Sequence, residues 1–326
     1  MTYTDSFFLF AFLPIAIIGY NIFPKKFRGV VLLALSYLFF LIISRKLIIY
    51  LIGSTLVIYV FSLIVKKLQK NRDIELEKSN KENRKKIKEK CEKKQRIILI
   101  LSILINLSIL IILKYSKFLG DNLNFLFENM DIQTRINVLS FVLPIGISFY
   151  TLQAISYSVD VHRGLIKPDT NLGRLALYLS FFPQIMEGPI CRYQDTAQKL
   201  WSGERTTYKG LTFGLQRMAL GLGKKIIIAD RLNIIVNEIF NNYTNYDGGI
   251  IAIGMVLYTL QLYMDFSGVM DIVIGTAEIF GVTIPENFRQ PFFSKTISEF
   301  WTRWHITLGT WFRDYIYYPV SLTKKY

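Results

Sequence analysis

The sequence predicts an all-α polytopic membrane protein with several transmembrane helices and with broken or re-entrant helices that line a funnel. Of its 326 residues, 52% are hydrophobic and 19% are charged, and the mean hydropathy is +0.32. A soluble protein of this length carries more charge. Apolar stretches that approach the roughly 20 residues needed to cross a bilayer lie at Phe7–Ile22, Val30–Ile43, Leu47–Val65, Ile97–Leu113, Val138–Val159, Leu211–Ala229 and Ile250–Met264.

The first apolar stretch is predicted to remain as a helix. It begins close to Met1, as a signal peptide would, but no small-residue cleavage site follows it. Instead the chain continues with Phe23, Pro24 and two lysines.

Much of the net charge of +15 lies in one segment. Fourteen Lys or Arg and six Asp or Glu lie between Lys66 and Arg96, which gives this segment a net charge of +8. It separates two apolar spans, so the positive-inside rule explains it as a solvated cytoplasmic loop. The composition of this loop favours helix, and Glu82 and Lys86, four residues apart, can support a solvated helix. We therefore predict a lipid environment and no nucleic-acid partner.

The distribution of basic residues predicts a multi-pass protein of the cell membrane with its amino terminus outside. Lys25, Lys26 and Arg28 mark the first loop as cytoplasmic. The next two spans then form a hairpin that turns near Ser44, and the polar stretch 114–137 lies at the outer surface. Residues 1–137 form a first region of transmembrane helices with the cytoplasmic loop 66–96, and residues 138–326 form a second region.

Beyond residue 172 the apolar stretches shorten and prolines interrupt them. Irregular backbone at membrane depth is tolerated only where it is buried in protein or lines a cavity, so this region resembles the wall of a funnel. Its clearest interruption is Phe181–Tyr193, which contains two prolines together with Gln184 and Glu187. Two interpretations stay open for this segment, a re-entrant turn that presents polar groups to a cavity and a surface loop.

Ionisable residues are frequent between Gln261 and Pro319, among many aromatic residues. Such side chains at membrane depth usually face a bundle interior or a wet cavity and mark a functional pathway. They are Asp265, Asp271, Glu278, Glu286, Arg289, Glu299, Arg303, His305, Arg313 and Asp314.

A turn-rich connector at Pro285–Pro291 precedes a predicted helix that Ser294 or Thr296 caps. Glu299 and Arg303 lie four residues apart on it and can pair. Helical spacing also predicts a packed stripe of Trp304, Leu308, Trp311 and Tyr315.

The chain contains two histidines. A lone histidine on an apolar helix is often a structural, hydrogen-bonded residue. Arg303, Arg313 and Asp314 lie near His305 in the sequence, however, so a structural role and a functional role both stay open for it. His162 is predicted to lie at the membrane interface. No spacing of Cys and His indicates zinc, and no metal site is predicted.

These motifs together resemble the membrane-bound O-acyltransferase family, in the branch of alginate O-acetylases and teichoic-acid D-alanyl transferases. The similarity is strong over roughly residues 140–320. The segments that carry it are Pro144–Tyr150, Ser156–Asp160, Phe182–Gln184, Gly188–Ile190, Met264–Gly268, Glu286–Phe288, Glu299–His305 and Thr310–Tyr315.

The resemblance implies an O-acyltransferase, most simply an acetylase, in which residues 138–326 form part of the acyltransferase core. A cytoplasmic thioester, acetyl-CoA or an acylated carrier protein, would meet an extracytoplasmic hydroxyl in the funnel. The acceptor would be a cell-envelope polysaccharide or a second extracytoplasmic acetylation protein, and no bound cofactor is implied. The residues expected to shape the donor side are Arg303, Trp304, His305, Arg313 and Asp314, and those expected to line or brace the funnel are Gln184, Glu187, Asp265 and Asn287.

His305 matches the first of the family's two characteristic histidines, on the cytoplasmic side of the tunnel. The second lies in a later Trp-His-Gly segment and is the favoured catalytic base. The sequence ends at Tyr326 before such a segment. We therefore expect the chain to be an amino-terminal portion of an acetylase that is inactive by itself.

Two other functions fit some of these features. Broken helices and buried carboxylates also mark the pathways of transporters and channels, although the chain shows no inverted repeat and carries the His305 motif. A catalytically inactive membrane scaffold is the second alternative.

Overall fold

The computed structural model describes residues 2–130 and 145–322, with the backbone alone at residues 81 and 82. Within those ranges the chain is helical and contains no β-strand, which confirms the predicted all-α class. The one β-type pairing described is an isolated antiparallel bridge between Phe288 and Trp304.

Thirteen α-helices are described within these ranges. They are α1 Leu13–Ile22, α2 Lys25–Ser44, α3 Ile48–Lys78, α4 Lys81–Asn129, α5 Ile147–His162, α6 Leu172–Ser180, α7 Tyr193–Ser202, α8 Tyr208–Leu222, α9 Asp230–Asn241, α10 Gly248–Ile279, α11 Ile297–Arg303, α12 Ile306–Phe312 and α13 Tyr318–Ser321. Segments of π-helix precede α1, follow α8 and follow α12, at Phe8–Phe12, Gly223–Ala229 and Arg313–Tyr317, and 3-10 turns lie at Arg45–Leu47, Tyr243–Asn245 and Pro291–Phe293.

Three helical stretches are long and apolar enough to cross a membrane, at Lys25–Lys78, Asn83–Asn129 and Gly248–Ile279, and Phe8–Ile22 is a shorter apolar helix. They include the predicted apolar stretches before residue 114 and the one at Ile250–Met264. The predicted turn near Ser44 coincides with the 3-10 segment, where Arg45 has a φ of 44°. The prediction for Val138–Val159 lies partly outside the described residues.

The basic segment 66–96 is not a loop. Helix α3 continues to Lys78 and α4 begins at Lys81, so a break of two residues separates two charged helical extensions. Lys, Glu, Arg and Gln favour helix, and the apolar part of each helix provides a nucleus from which the charged part extends. The outer stretch predicted from Lys114 is likewise helical as far as Asn129.

The chain forms two compact units, each discontinuous in sequence. One contains the residues up to Leu35, Phe181–Cys191 and the residues from Gln198 onward, and the other contains Ser36–Ser180 and Arg192–Ala197. We call them the first and the second unit. The residues singled out as a candidate site lie in the first unit.

In the second unit a buried carboxylate holds the segment after α5. Asp169 accepts hydrogen bonds from the Arg174 guanidinium and the Tyr193 hydroxyl, and from the Asn171 N–H at 2.8 Å. Its own N–H donates to the Tyr157 hydroxyl at 2.9 Å. A buried charge is tolerated when it is paired and its remaining lone pairs are satisfied, so this cluster fixes the unit's core.

In the first unit α8 and α10 cross closely because glycines face each other. A Cβ atom on Gly214 would lie 2.5 Å from the Gly275 carbonyl oxygen, and a Cβ on Gly221 would lie 2.5 Å from the Gly268 oxygen. The pairs 214 with 275 and 221 with 268 show that the two helices run antiparallel. Small residues seven apart on both helices therefore let the backbones approach.

Candidate functional site

The close crossing brings cations of the α8 region against carboxylates of α10. The Arg217 guanidinium donates twice to Asp271 Oδ1, both at 3.1 Å, and once to Glu286 Oε2 at 2.6 Å. Lys224 Nζ lies 2.6 Å from Asp271 Oδ2. These four charged side chains therefore all have a partner of opposite charge, as charges removed from water require.

The π-helical segment after α8 carries two consecutive lysines that both reach carboxylates of α10. Lys225 Nζ lies 2.8 Å from Asp265 Oδ1 and 2.8 Å from Asp230 Oδ1, and Lys224 binds Asp271. Short π segments inside helices often occur at functional sites. Here the segment places Lys225 beside Asp265.

Asn287 fastens the connector after α10 to the start of α12. It is fully buried, its carbonyl oxygen accepts from the Ile306 N–H at 3.0 Å, and its Oδ1 accepts from the Thr307 N–H at 3.0 Å and from the Thr307 hydroxyl at 2.7 Å. The Thr307 hydroxyl also accepts from the Ile190 N–H at 3.0 Å. Asn287 thus satisfies N–H groups that a helix start leaves without partners.

The predicted continuous helix through His305 is wrong, because the chain breaks between α11 and α12. Trp304 is extended and pairs with Phe288, and His305 has φ 46° and ψ 50°, in the left-handed region. Such a conformation costs a residue other than glycine of order 1–3 kcal/mol and persists where surrounding contacts impose it. The Asn287 cap and the pairing of Trp304 with Phe288 are those contacts. Thr296 caps α11, and the predicted pair of Glu299 with Arg303 forms at 2.6 Å.

His305 lies among aromatic rings and is only partly exposed. Its imidazole packs edge-to-face on Phe266, with ring centroids 5.0 Å apart. Its Nδ1 is buried and makes no hydrogen bond to another residue in the described part of the chain. Burial lowers the pKa of this imidazole below its ordinary value, so the ring is neutral at neutral pH and can accept a hydrogen bond or a proton.

The segment Phe181–Ile190 is packed inside the protein. Nine of its ten residues are buried, and Glu187 alone among the ten is exposed. The Tyr3 hydroxyl donates to the Phe182 carbonyl at 2.7 Å and accepts from the Met186 N–H at 3.3 Å. This burial excludes the surface-loop alternative for these ten residues.

A cavity of about 320 Å3 lies beside this segment. Its wall combines two carboxylates and one ammonium with apolar side chains, and Phe266, which packs on His305, belongs to it. The lining residues are Thr2, Tyr3, Thr4, Met186, Glu187, Lys225, Leu262, Asp265, Phe266 and Val269.

The structure brings some of the predicted site residues together and separates others. Glu187 and Asp265 line the cavity, while Asn287, Trp304 and His305 meet at the break between α11 and α12. Arg303 pairs with Glu299 next to this break. Seven of the nine predicted residues therefore do not line the described cavity. Among them, Gln184 is buried within its segment, and Arg313 binds the neighbouring Asp314 at 3.0 Å.

Sequence reasoning missed Arg217, Lys225 and Thr307. The first two lie within the predicted apolar span Leu211–Ala229, where a cation is itself a signal. Their carboxylate partners on α10 are 40 residues or more away in the sequence, so the sequence alone did not predict these ion pairs. Thr307 gave no signal, because only its contact with Asn287 shows its role.

Comparison with known sequences gives a consistent result. A sequence model of the membrane-bound O-acyltransferase family matches residues 168–326. The chain is 35% identical to a probable alginate O-acetylase of Pseudomonas syringae, over 97% of this chain and 57% of the relative.

Two further relatives have different names. A peptidoglycan O-acetyltransferase of Helicobacter pylori is 28% identical, over 98% of this chain and 62% of the relative. A teichoic acid D-alanyltransferase of Bacillus subtilis is 35% identical, over 58% of this chain and 48% of the relative. The chain thus spans about three fifths of the length of the acetylase relatives it matches.

Proposed function

Because this chain belongs to the membrane-bound O-acyltransferase family, we propose that its protein transfers an acyl group, most simply acetyl, to hydroxyls of a cell-envelope polysaccharide. The donor is a cytoplasmic thioester, acetyl-CoA or an acylated carrier protein. The names of the relatives support this class of reaction, since they describe acyl transfer to alginate, peptidoglycan and teichoic acid. A second extracytoplasmic acetylation protein is the other candidate acceptor.

The two sides of the site are assigned from charge and from the family resemblance. The basic helical hairpin formed by residues 66–96 is cytoplasmic by the positive-inside rule, which puts the amino terminus outside. Since Thr2, Tyr3 and Thr4 line the cavity, the cavity belongs to the extracytoplasmic, acceptor side. The break that carries Arg303, Trp304 and His305 is assigned to the donor side from the resemblance of the His305 motif to the family's.

The proposed step exchanges one ester for another. The acceptor oxygen bonds to the thioester carbonyl carbon, the carbon–sulfur bond breaks, and the hydroxyl proton ends on the released thiol. Glu187 and Asp265 can accept hydrogen bonds from the acceptor hydroxyls. His305 is proposed to contact the donor through its free Nδ1, and the Arg303 guanidinium beside it suits an anionic carrier group.

One observation carries this proposal. The strained, half-buried His305, whose Nδ1 bonds to no other described residue, packs on a ring that lines a cavity holding Glu187, Asp265 and Lys225. A buried polar atom without a partner is costly, and the position of this one beside the cavity supports a role in which a ligand supplies the missing hydrogen bond.

Deletion of the gene tests the proposal. We expect the deletion strain to lose one class of alkali-labile acyl ester from its purified envelope polymers, measured by mass spectrometry after mild base. Restoring the gene at its own locus should restore that ester. An unchanged set of esters in the deletion strain would contradict the proposed function.

A further inference from the structure

Arg217 connects three parts of the first unit. It extends from α8, binds Asp271 of α10 through two N–H groups, and binds Glu286 of the connector after α10 at 2.6 Å. Such a planar fork of donors fixes direction as well as distance, which a lysine cannot do.

The connector that Arg217 holds has no helix or strand between Gly281 and Gln290. Its position depends on side-chain contacts, and Glu286 is directly followed by Asn287. Asn287 caps α12 through its carbonyl oxygen and its Oδ1, and so fixes the residues that follow His305. The ion pair of Arg217 with Glu286 therefore lies one residue from the cap that sets the backbone of His305.

This pair is poorly placed to stabilise the fold. Its two side chains are 32% and 35% exposed, and ion pairs with this much exposure contribute little. Asp271 keeps Lys224 as a partner at 2.6 Å if Arg217 is removed. Loss of the guanidinium thus leaves no buried carboxylate without a cation.

We propose that Arg217 is a positioning residue for the acyl-transfer site, which acts through Glu286 and Asn287 to orient His305. This inference rests on the proposed function. It predicts an effect on the rate of the chemical step, because a displacement of about 1 Å at a reacting group can cost about 10²-fold.

The test compares Arg217→Gln and Arg217→Lys with the wild type in membrane vesicles that contain the whole protein. Acetyl-CoA is the probe, and thiol release is measured against its concentration. We expect Arg217→Gln to lower kcat by about 10- to 100-fold with little change in KM, and Arg217→Lys to fall between Gln and the wild type. Lys25→Gln is the matched control, since it breaks an exposed ion pair of the same unit with Glu204, and it should keep the wild-type kcat.

A second measurement separates positioning from a loss of folded protein. The melting temperatures of purified Arg217→Gln and Arg217→Lys should stay near that of the wild type. Combining Arg217→Gln with Thr307→Val, which removes a hydroxyl bonded to Asn287, should lower kcat no further than the larger single loss, because both changes act on one cap.

The outcomes are distinct. Unchanged kcat in Arg217→Gln, a loss explained by melting, or losses that multiply in the double variant would each overturn the inference. A wild-type protein that neither releases thiol nor supports envelope esters in cells would instead contradict the proposed function.

Discussion

Replacing His305 with alanine is expected to lower acyl transfer by about 10²–10⁴-fold, because the loss of a proton-transfer group typically costs this much and misplacement of the donor can cost as much. Glutamine should retain more activity than alanine. Glutamine keeps a polar group that can hydrogen-bond to a donor, whereas alanine leaves the Phe266 ring facing a gap. His162→Gln is the matched control, because His162 ends α5 in the second unit and has no place in the proposed site.

The pH dependence of acyl transfer separates a role of His305 in binding or orienting the donor from a role as the catalytic base. Since burial lowers its pKa below the ordinary value, a rate that needs the neutral ring declines only when the pH falls below that lowered pKa. In both variants the decline of the rate at low pH should disappear. A decline at high pH that is set by another group should remain. Transfer is measured as ester formed per folded protein across pH, with each variant at the native locus. Full activity in both variants would show that His305 is a packing residue.

Enlarging Gly275 is expected to have the largest effect on folding. A Cβ there would lie 2.5 Å from the Gly214 carbonyl oxygen, a backbone atom that a rotamer change cannot move. Overpacking of this kind costs about 1–3 kcal/mol and sometimes more, so Gly275→Ala should lower the melting temperature and Gly275→Leu should abolish monodisperse protein in detergent.

Gly223 provides the control for this substitution. It follows α8 in the π-helical segment, and a Cβ on it would meet nothing within 4 Å. Gly223→Ala should therefore melt at or slightly above the wild-type temperature, because alanine favours helix over glycine. Equal melting of Gly223→Ala and Gly275→Ala would contradict the close crossing of α8 and α10.

Local patterns in the sequence predicted much of the fold. Apolar length predicted the helices now seen at Lys25–Lys78 and Gly248–Ile279, because the length of apolar runs reflects the bilayer. The Thr296 cap and the pair of Glu299 with Arg303 were also readable, since both depend on residues within four positions of each other. The basic segment was placed between the correct helices and its composition favoured helix, but the continuation of both membrane helices into it was not predicted.

The candidate site depends on contacts that sequence spacing does not encode. Helical periodicity continues through His305, and contacts with the distant connector make a break there favourable. Asn287 caps Ile306 and Thr307, and the Arg289 N–H donates to the Arg303 carbonyl oxygen at 3.0 Å. Lys225 likewise belongs to the site because it pairs with Asp265, which lies 40 residues further along the chain. Tertiary hydrogen bonds of this kind override local propensity.

The proposed function requires that a cytoplasmic thioester and an extracytoplasmic hydroxyl meet in this protein, and a measurement of sidedness tests this requirement. Inside-out vesicles from cells that produce the whole protein would be loaded with envelope polymer from the deletion strain and supplied outside with isotope-labelled acetyl-CoA or with acylated carrier protein. We predict labelled ester on the enclosed polymer with at least one of these donors, and none in vesicles from the deletion strain. Two results would contradict this requirement. In the first, neither donor labels the enclosed polymer; in the second, label appears only when donor and polymer are on the same side of the membrane.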